Sequence, residues 1–280
     1  MKHTRPAVTI VETLVVIIVF LLLLGGAMFA LSFATISSAR SQAQTIKDGT
    51  QLRGIVMAFT SHAASQRNDR FPTPSQLDLA DHTIVSPAEQ KDTTANVFAI
   101  SIWENSLTPE IVVSPTETGN IEVDEDYSYD SPSGAANPQD AIWDPAFRAD
   151  FTDLKTPGNV SYAHQRPLPD PNRLWQNTFS PDEIVVTTRT PQASAVNPTT
   201  SIHTLTNQSS NTFSQHGQPN SWSGNLAFAD NHVEFATSLA DTVRHAPDTP
   251  YIDDPAEGDR FLSIFIKSGL TDTDYKPIWD

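Results

Sequence analysis

The chain has 280 residues, no cysteine, 33 acidic against 17 basic side chains and a net charge of −16. The length allows one or two domains, the missing cysteines exclude a disulfide framework, and the acidity argues against non-specific nucleic-acid binding. The charge is unevenly placed: Lys2, Arg5, Arg40, Lys47 and Arg53 against Glu12 and Asp48 leave residues 1–60 at +3, so the remainder carries −19.

From Thr13 to Ala39 the chain is uncharged, and Glu12 stands just ahead of that run. Such a run is long enough for a helix to span a bilayer, which takes ~20 apolar residues. A carboxylate at its start is costly without a partner and marks a functional position. Lys2 and Arg5 precede the run, which predicts a cytoplasmic N-terminus and an extracytoplasmic C-terminal part.

The helix is expected to continue to about residue 62. Ile36, Ala39, Ala43, Ile46, Gly49, Leu52, Val56 and Phe59 recur three and four apart, while Ser41, Gln42, Gln44 and Lys47 face elsewhere. Gly49, inside that stripe, would let a sheet come close. Gly25-Gly26 would favour either local unwinding or close helix packing. Arg67-Asn68-Asp69 with Pro72 and Pro74 end the helix.

Beyond it, a short helix is predicted over 94–106. Strands are predicted over Ile111–Val113, Val160–Ala163, Glu183–Arg189, Asn225–Ala229, His232–Ala236 and Phe261–Ile266. Asp230-Asn231 reads as a two-residue hairpin turn, since both residue types tolerate the positive φ such turns need. Phe228, Val233 and Phe235 would then share one core face with Leu52, Val56 and Phe59. The stretch Thr190–Asn211 is poor in large apolar residues and reads as a loose surface loop.

The N-terminal stretch Arg5-Pro6-Ala7-Val8-Thr9-Ile10-Val11-Glu12-Thr13-Leu14 resembles that of type IV pilins, type II secretion pseudopilins and related prepilin-like proteins. The resemblance implies cleavage by a membrane prepilin peptidase between Ala7 and Val8, and methylation of the new N-terminus at Val8. Glu12 becomes the fifth mature residue. Its carboxylate would pair with the Val8 amine of an adjacent subunit and set the stagger of a growing filament. Ala7 stands where the family usually has Gly, and Val8 where it usually has Phe. Near the other end, Leu226-Ala227-Phe228-Ala229-Asp230-Asn231-His232-Val233-Glu234-Phe235 looks like the "LFADGHVEF" hairpin of one large prepilin-like group, with Asn231 at the usual Gly and His216 matching a preceding histidine. Arg70-Phe71-Pro72-Thr73-Pro74 and Asn159-Val160-Ser161-Tyr162-Ala163 are similar to interior segments of that group. Nothing between about Ser114 and Gly158 is covered.

The expected architecture is α+β and pilin-like: a long N-terminal transmembrane and amphipathic helix packed on an antiparallel sheet head with long loops. Its parts are a leader at 1–7, a transmembrane helix at 8–33, an amphipathic helix at 34–62 and an acidic head at 63–280. The implied role is a structural subunit of a pilus or pseudopilus filament in the inner membrane, its head reaching the periplasm or cell surface. Its partners would be prepilin peptidase, other pilin-like subunits and membrane lipid, with no nucleic acid. The alternative is a membrane-anchored extracytoplasmic binding module that does not polymerise. A plain signal anchor and a signal cleaved after Ala27-Met28-Phe29-Ala30 are the blander readings of the N-terminus. G-x-S-x-G, H-E-x-x-H and phosphate-binding glycine loops do not occur, so no catalytic residues are assigned and no cofactor is implied beyond a metal ion. Three constellations could hold one. His216, Asp230 and His232 are ligand types that the hairpin could gather. Asp124, Asp126 and Asp130 in one acidic loop, and Asp253-Asp254 with Glu257 and Asp259 in another, could supply oxygens to calcium.

Overall fold

The computed structural model describes residues 9–66, 69–167, 175–191, 193–197, 202–205, 210–216, 221–239, 262–267 and 275–279, without side-chain surroundings at 27–37, 88–89, 193–197, 202–205 and 275. The junction Ala7-Val8 and the acidic group at 253–259 lie outside these residues. The chain divides into two units, Met1–Gln44 and Thr45–Asp280.

Helix α1 runs over Ile10–Ser65. In the first unit its described apolar side chains, from Ile10 to Leu24, are exposed, and it stays helical through Gly25 and Gly26. Among the described residues no helix is long and apolar enough to cross a membrane. The span expected over 8–33 lies partly outside the residues so described.

The second unit begins inside α1. Short helices α2 (Pro74–Leu77) and α3 (Ala88–Lys91) lead into α4 (Thr94–Trp103). Thr93 starts α4: its hydroxyl accepts the Asn96 N–H at 3.3 Å and satisfies one of the donors every helix start leaves free. Strands β1 (Tyr162–Gln165), β2 (Ile184–Thr188), β5 (Gly224–Phe228), β6 (Val233–Ala236), β7 (Leu262–Lys267) and β8 (Tyr275–Ile278) form one sheet in the order β6-β5-β2-β1-β7-β8, every described pairing antiparallel. Strands β3 (Ala193–Asn197) and β4 (Ile202–Leu205) pair as a separate hairpin, and α5 (Thr212–Gln215) follows. The class is therefore α+β with a six-stranded antiparallel sheet.

Alternation along β5 divides the core. Ala227 and the α1 residues Leu52, Ile55, Val56 and Phe59 belong to one cluster with Val97, Phe98 and Ile102 of α4. Leu226 and Phe228 point to the other face, where they meet Ile184, Phe213, Trp222 and Leu262. The stripe of α1 is thus buried from Asp48 onward, and the α1 face does meet the sheet at Gly49. A Cβ there would lie 3.4 Å from Asn225 and from Val233.

Several expectations are corrected. Phe228 is buried but in the second cluster, away from Leu52, Val56 and Phe59. Phe235 is 44% exposed and Ile46 71% exposed; β6 is an edge strand of the described sheet, and the Phe235 ring meets the His216 ring at 5.4 Å rather than the α1 core. Ile111–Val113 form a turn, because the Gln51 amide takes the carbonyls of Glu110 (2.9 Å) and Val113 (3.2 Å). The hairpin loop is longer than two residues. Phe228 N–H donates to the His232 carbonyl at 3.0 Å and Asn231 N–H to the Phe228 carbonyl at 2.8 Å. Asn231, at φ 71°, supplies the left-handed residue that closes a three-residue loop. Part of Thr190–Asn211, expected as a loop, carries β3 and β4, and β8 was not foreseen. The helix over 94–106 stops at Trp103.

Removing the Phe228 ring should cost ~3–5 kcal/mol, as for a fully buried phenylalanine. Phe235→Ala, on the same hairpin, should cost no more than about 0.5 kcal/mol, as a surface change does. Urea denaturation of the two variants checks this; equal losses would contradict the division of the core.

Candidate functional site

At the start of α1, Thr9 and Glu12 bond reciprocally. Glu12 Oε2 accepts from the Thr9 N–H at 2.9 Å and from its hydroxyl at 3.0 Å, while the Thr9 Oγ1 accepts the Glu12 N–H at 3.3 Å. This is a capping box, in which a Thr at the N-cap and a Glu three residues on satisfy helix donors together. The sequence spacing Thr-x-x-Glu would have disclosed it. Both acceptor contacts fall on Oε2.

The second constellation lies in the folded unit. Asp48, fully buried on α1, gathers donors from four other segments. Tyr162 of β1 donates its hydroxyl to Oδ1 at 2.9 Å, beside the hydroxyl of Ser114. The Asn225 amide of β5 donates to Oδ2 at 2.7 Å, and the Thr188 hydroxyl of β2 lies 3.3 Å from the same oxygen. His216, just past α5, places Nε2 3.8 Å from Oδ2 and Nδ1 3.3 Å from the Thr45 hydroxyl. Burial pushes the His216 pKa down, against the opposing pull of Asp48. Burial and then the Asp48 charge push the Tyr162 hydroxyl well above its ordinary range, so Tyr162 remains a donor. The Ser114 hydroxyl donates to the Asp48 carboxylate, and His216 meets that carboxylate through its other oxygen. The arrangement is a clamp.

A second buried ion pair fixes the stretch that resembled nothing. Glu117 and Arg189 meet at 2.7 Å with both side chains almost fully enclosed. The guanidinium also lies 4.4 Å over the Phe151 ring.

Of the expected metal constellations, the group at 253–259 lies outside the described residues. Among the described residues no three metal-ligating side chains are grouped to hold an ion. Asp230 and His232 do pair, Asp230 Oδ1 accepting the His232 N–H at 3.1 Å and contacting its ring Nδ1. The ring stacks on Phe228 with centroids 4.1 Å apart. His216 is instead held by Asp48 and Phe235, because α5 ends beside the α1 clamp. In the acidic loop Asp124 accepts the Asp126 N–H at 3.0 Å and Asp130 accepts the Ser131 hydroxyl at 3.0 Å. These are turn bonds, and they leave the three carboxylates apart. Burial, aided by the Asp144 and Asp126 charges, raises the pKa of Asp124.

His164, fully buried on β1, was missed because nothing in its flanking sequence separates it from a solvent-facing histidine. Its Nδ1 donates to the Gln165 carbonyl at 2.6 Å, which leaves Nε2 to accept from Thr94 of α4 at 2.8 Å. Phe98, Trp175 and Phe265 surround the ring. Burial lowers its pKa to about 3, against the raising effect of the Gln165 bond.

The folded state therefore keeps His164 neutral, while the unfolded chain protonates it below about pH 6.5. The stability it confers is complete above that pH and is lost as pH falls toward 3. Between pH ~6.5 and ~5 the loss should be about 2 kcal/mol, at about 1.4 kcal/mol per unit. Denaturant unfolding at the two pH values measures it, and His164→Gln should remove most of that slope. An unchanged slope in the variant would contradict the assignment.

No protein-family model matches this chain, and neither a curated protein nor a solved structure is significantly similar to it, so residues and geometry alone support a functional reading.

Proposed function

We propose that this chain is a pilin-like structural subunit. In this reading it is anchored in the inner membrane by its N-terminal helix, processed by prepilin peptidase between Ala7 and Val8, and assembled with other pilin-like subunits into a pilus or pseudopilus filament. The acidic α+β unit stands outside the cytoplasm. The chain catalyses no reaction of its own and is a substrate of the peptidase.

The observation that carries the reading is Glu12: a single carboxylate ahead of an uncharged run that extends to Ala39. Inside a bilayer such a charge costs about 2.5–3.5 kcal/mol, which is why a carboxylate there reads as functional. Two further features support it. The helix continues without interruption to Ser65, and its last turns pack on an antiparallel sheet through Leu52, Val56 and Phe59. The capping box adds a physical role for Thr9, since it orients Glu12 and leaves one oxygen for the amine of a neighbouring Val8.

The capping box also offers a purely local reason for Glu12, and Glu12→Gln separates the two roles. Glutamine serves in a capping box as glutamate does, but it carries no charge for the amine. The variant should fractionate with membranes as the parent does, yet yield at least about tenfold fewer sheared filaments, equivalent to losing about 1.4 kcal/mol per contact. Thr9→Ala should assemble far better than Glu12→Gln. Wild-type assembly by Glu12→Gln would overturn the filament reading in favour of an anchored module that does not polymerise.

A further inference from the structure

One cavity in the folded unit, about 260 Å³, lies between the loop after α2, the start of α4, the loop at 145–150 and β7. At about 30 Å³ per water it has room for roughly nine, enough for a small organic molecule and too little for a folded partner. Ile84, Phe147 and Ile266 give it an apolar wall. Two cations from separate elements, Arg148 and Lys267, stand in the same lining.

That pairing is unusual for this chain. Residues 61–280 hold only twelve of the chain's 17 cations against 31 acids, yet here two cations share one small cavity with a single carboxylate, Asp150. The Asp150 Oδ1 is engaged by the N–H and hydroxyl of Thr152, at 2.9 and 2.6 Å. Among the described residues Arg148 makes a long contact to Asp153 at 3.7 Å; its side chain is 41% exposed, but its Nε is buried without a hydrogen-bond partner. Lys267 donates to the neutral Ser86 hydroxyl at 2.9 Å. Among the described residues neither cation has a carboxylate closer than the Arg148–Asp153 contact. The cavity also receives the first turn of α4 through Thr93 and Ala95, where the helix dipole adds partial positive charge.

We propose that this cavity binds a small organic anion, a carboxylate joined to an apolar or aromatic body, with the charge set between Arg148 and Lys267 and the body against Phe147 and Ile266. A guanidinium and an ammonium that lack close counter-ions gain most from a carboxylate that can take two hydrogen bonds. An apolar body on the anion would cover Phe147 and Ile266, which a simple inorganic anion leaves in water. This site is independent of the filament reading, and it would suit either a filament subunit or an anchored binding module.

The test is ligand-observed fluorine NMR with 3-(4-fluorophenyl)propanoate and the full chain in lipid nanodiscs, with empty nanodiscs as the blank. Binding should saturate with a Kd near or below about 1 mM, as expected for a ligand of this size. The matching neutral alcohol, 3-(4-fluorophenyl)propanol, should bind at least about tenfold more weakly, a difference of about 1.4 kcal/mol. Arg148→Gln with Lys267→Gln should remove the preference for the acid while the near-ultraviolet circular dichroism stays unchanged. If that variant fails to fold, the acid–alcohol comparison on the parent chain still decides. Failure of the acid to saturate, equal binding of acid and alcohol, or an acid preference that survives in a folded double variant would each overturn the proposal.

Discussion

The folded unit depends on a carboxylate that has been taken out of water. Asp48 is fully buried, and a lone ion in such a place costs several kcal/mol unless its lone pairs are filled. They are filled from every direction: Tyr162 from β1, Thr188 from β2, Asn225 from β5 and Ser114 from the long connection. Apolar packing alone would let α1 slide or roll on the sheet at modest cost, since hydrophobic contact is not directional. The Asp48 bonds are directional and leave one register in which all are made. Gly49 follows from the same constraint, because the helix must come close enough for an aspartate side chain to reach three strands, and Asn225 and Val233 already sit at contact distance from it.

From this point the remaining core reads as consequence. The α1 face that carries Asp48 also carries Leu52, Ile55, Val56 and Phe59 one to three turns on, and these enter the larger cluster with α4. His62 near the end of α1 meets Glu104, the residue that caps α4, at 2.9 Å. His164 then ties α4 to β1 through Thr94, whose hydroxyl also accepts the Phe265 N–H of β7 at 2.8 Å. A chain without cysteine thus ties α1, α4 and the sheet together with buried polar bonds. Lys91 shows the same habit at the other side, held between Asp78 at 3.1 Å and Asp81 at 2.6 Å.

The parts that sequence reading disclosed were those governed by periodicity. The long helix, the short helix at α4 and the central strands came from spacing of apolar residues, each within a few residues of its place. Phe228 and Phe235 show the limit of that reading. Two residues on one hairpin are both aromatic, yet one fills the second cluster and the other sits exposed on the edge strand, and strand order is a long-range property that no local pattern carries. Asp48 shows a deeper limit. A carboxylate inside an apolar stripe reads as a solvent-facing helix position, because its donors come from residues 114 to 225, far along the chain. His216 was grouped with the hairpin on the strength of residue type, and the fold gave it to Asp48 instead. Strands β3 and β4 were hidden by composition: Ala, Ser, Thr and Asn pair well as backbone while offering little apolar signal. The capping box at Thr9 and Glu12, by contrast, was present in the spacing and was passed over because the carboxylate had already been assigned another partner.

The claim that Asp48 sets the register of α1 on the sheet is tested most directly by the unfolding free energy of Asp48→Ala, measured by urea denaturation of the full chain. Removing one member of a buried charged network strands its donors, and the expected loss is ~3–5 kcal/mol, far above that of an apolar truncation of the same size. A loss below about 1 kcal/mol would mean that apolar packing alone holds the helix in place, and the account given for the fold would be wrong.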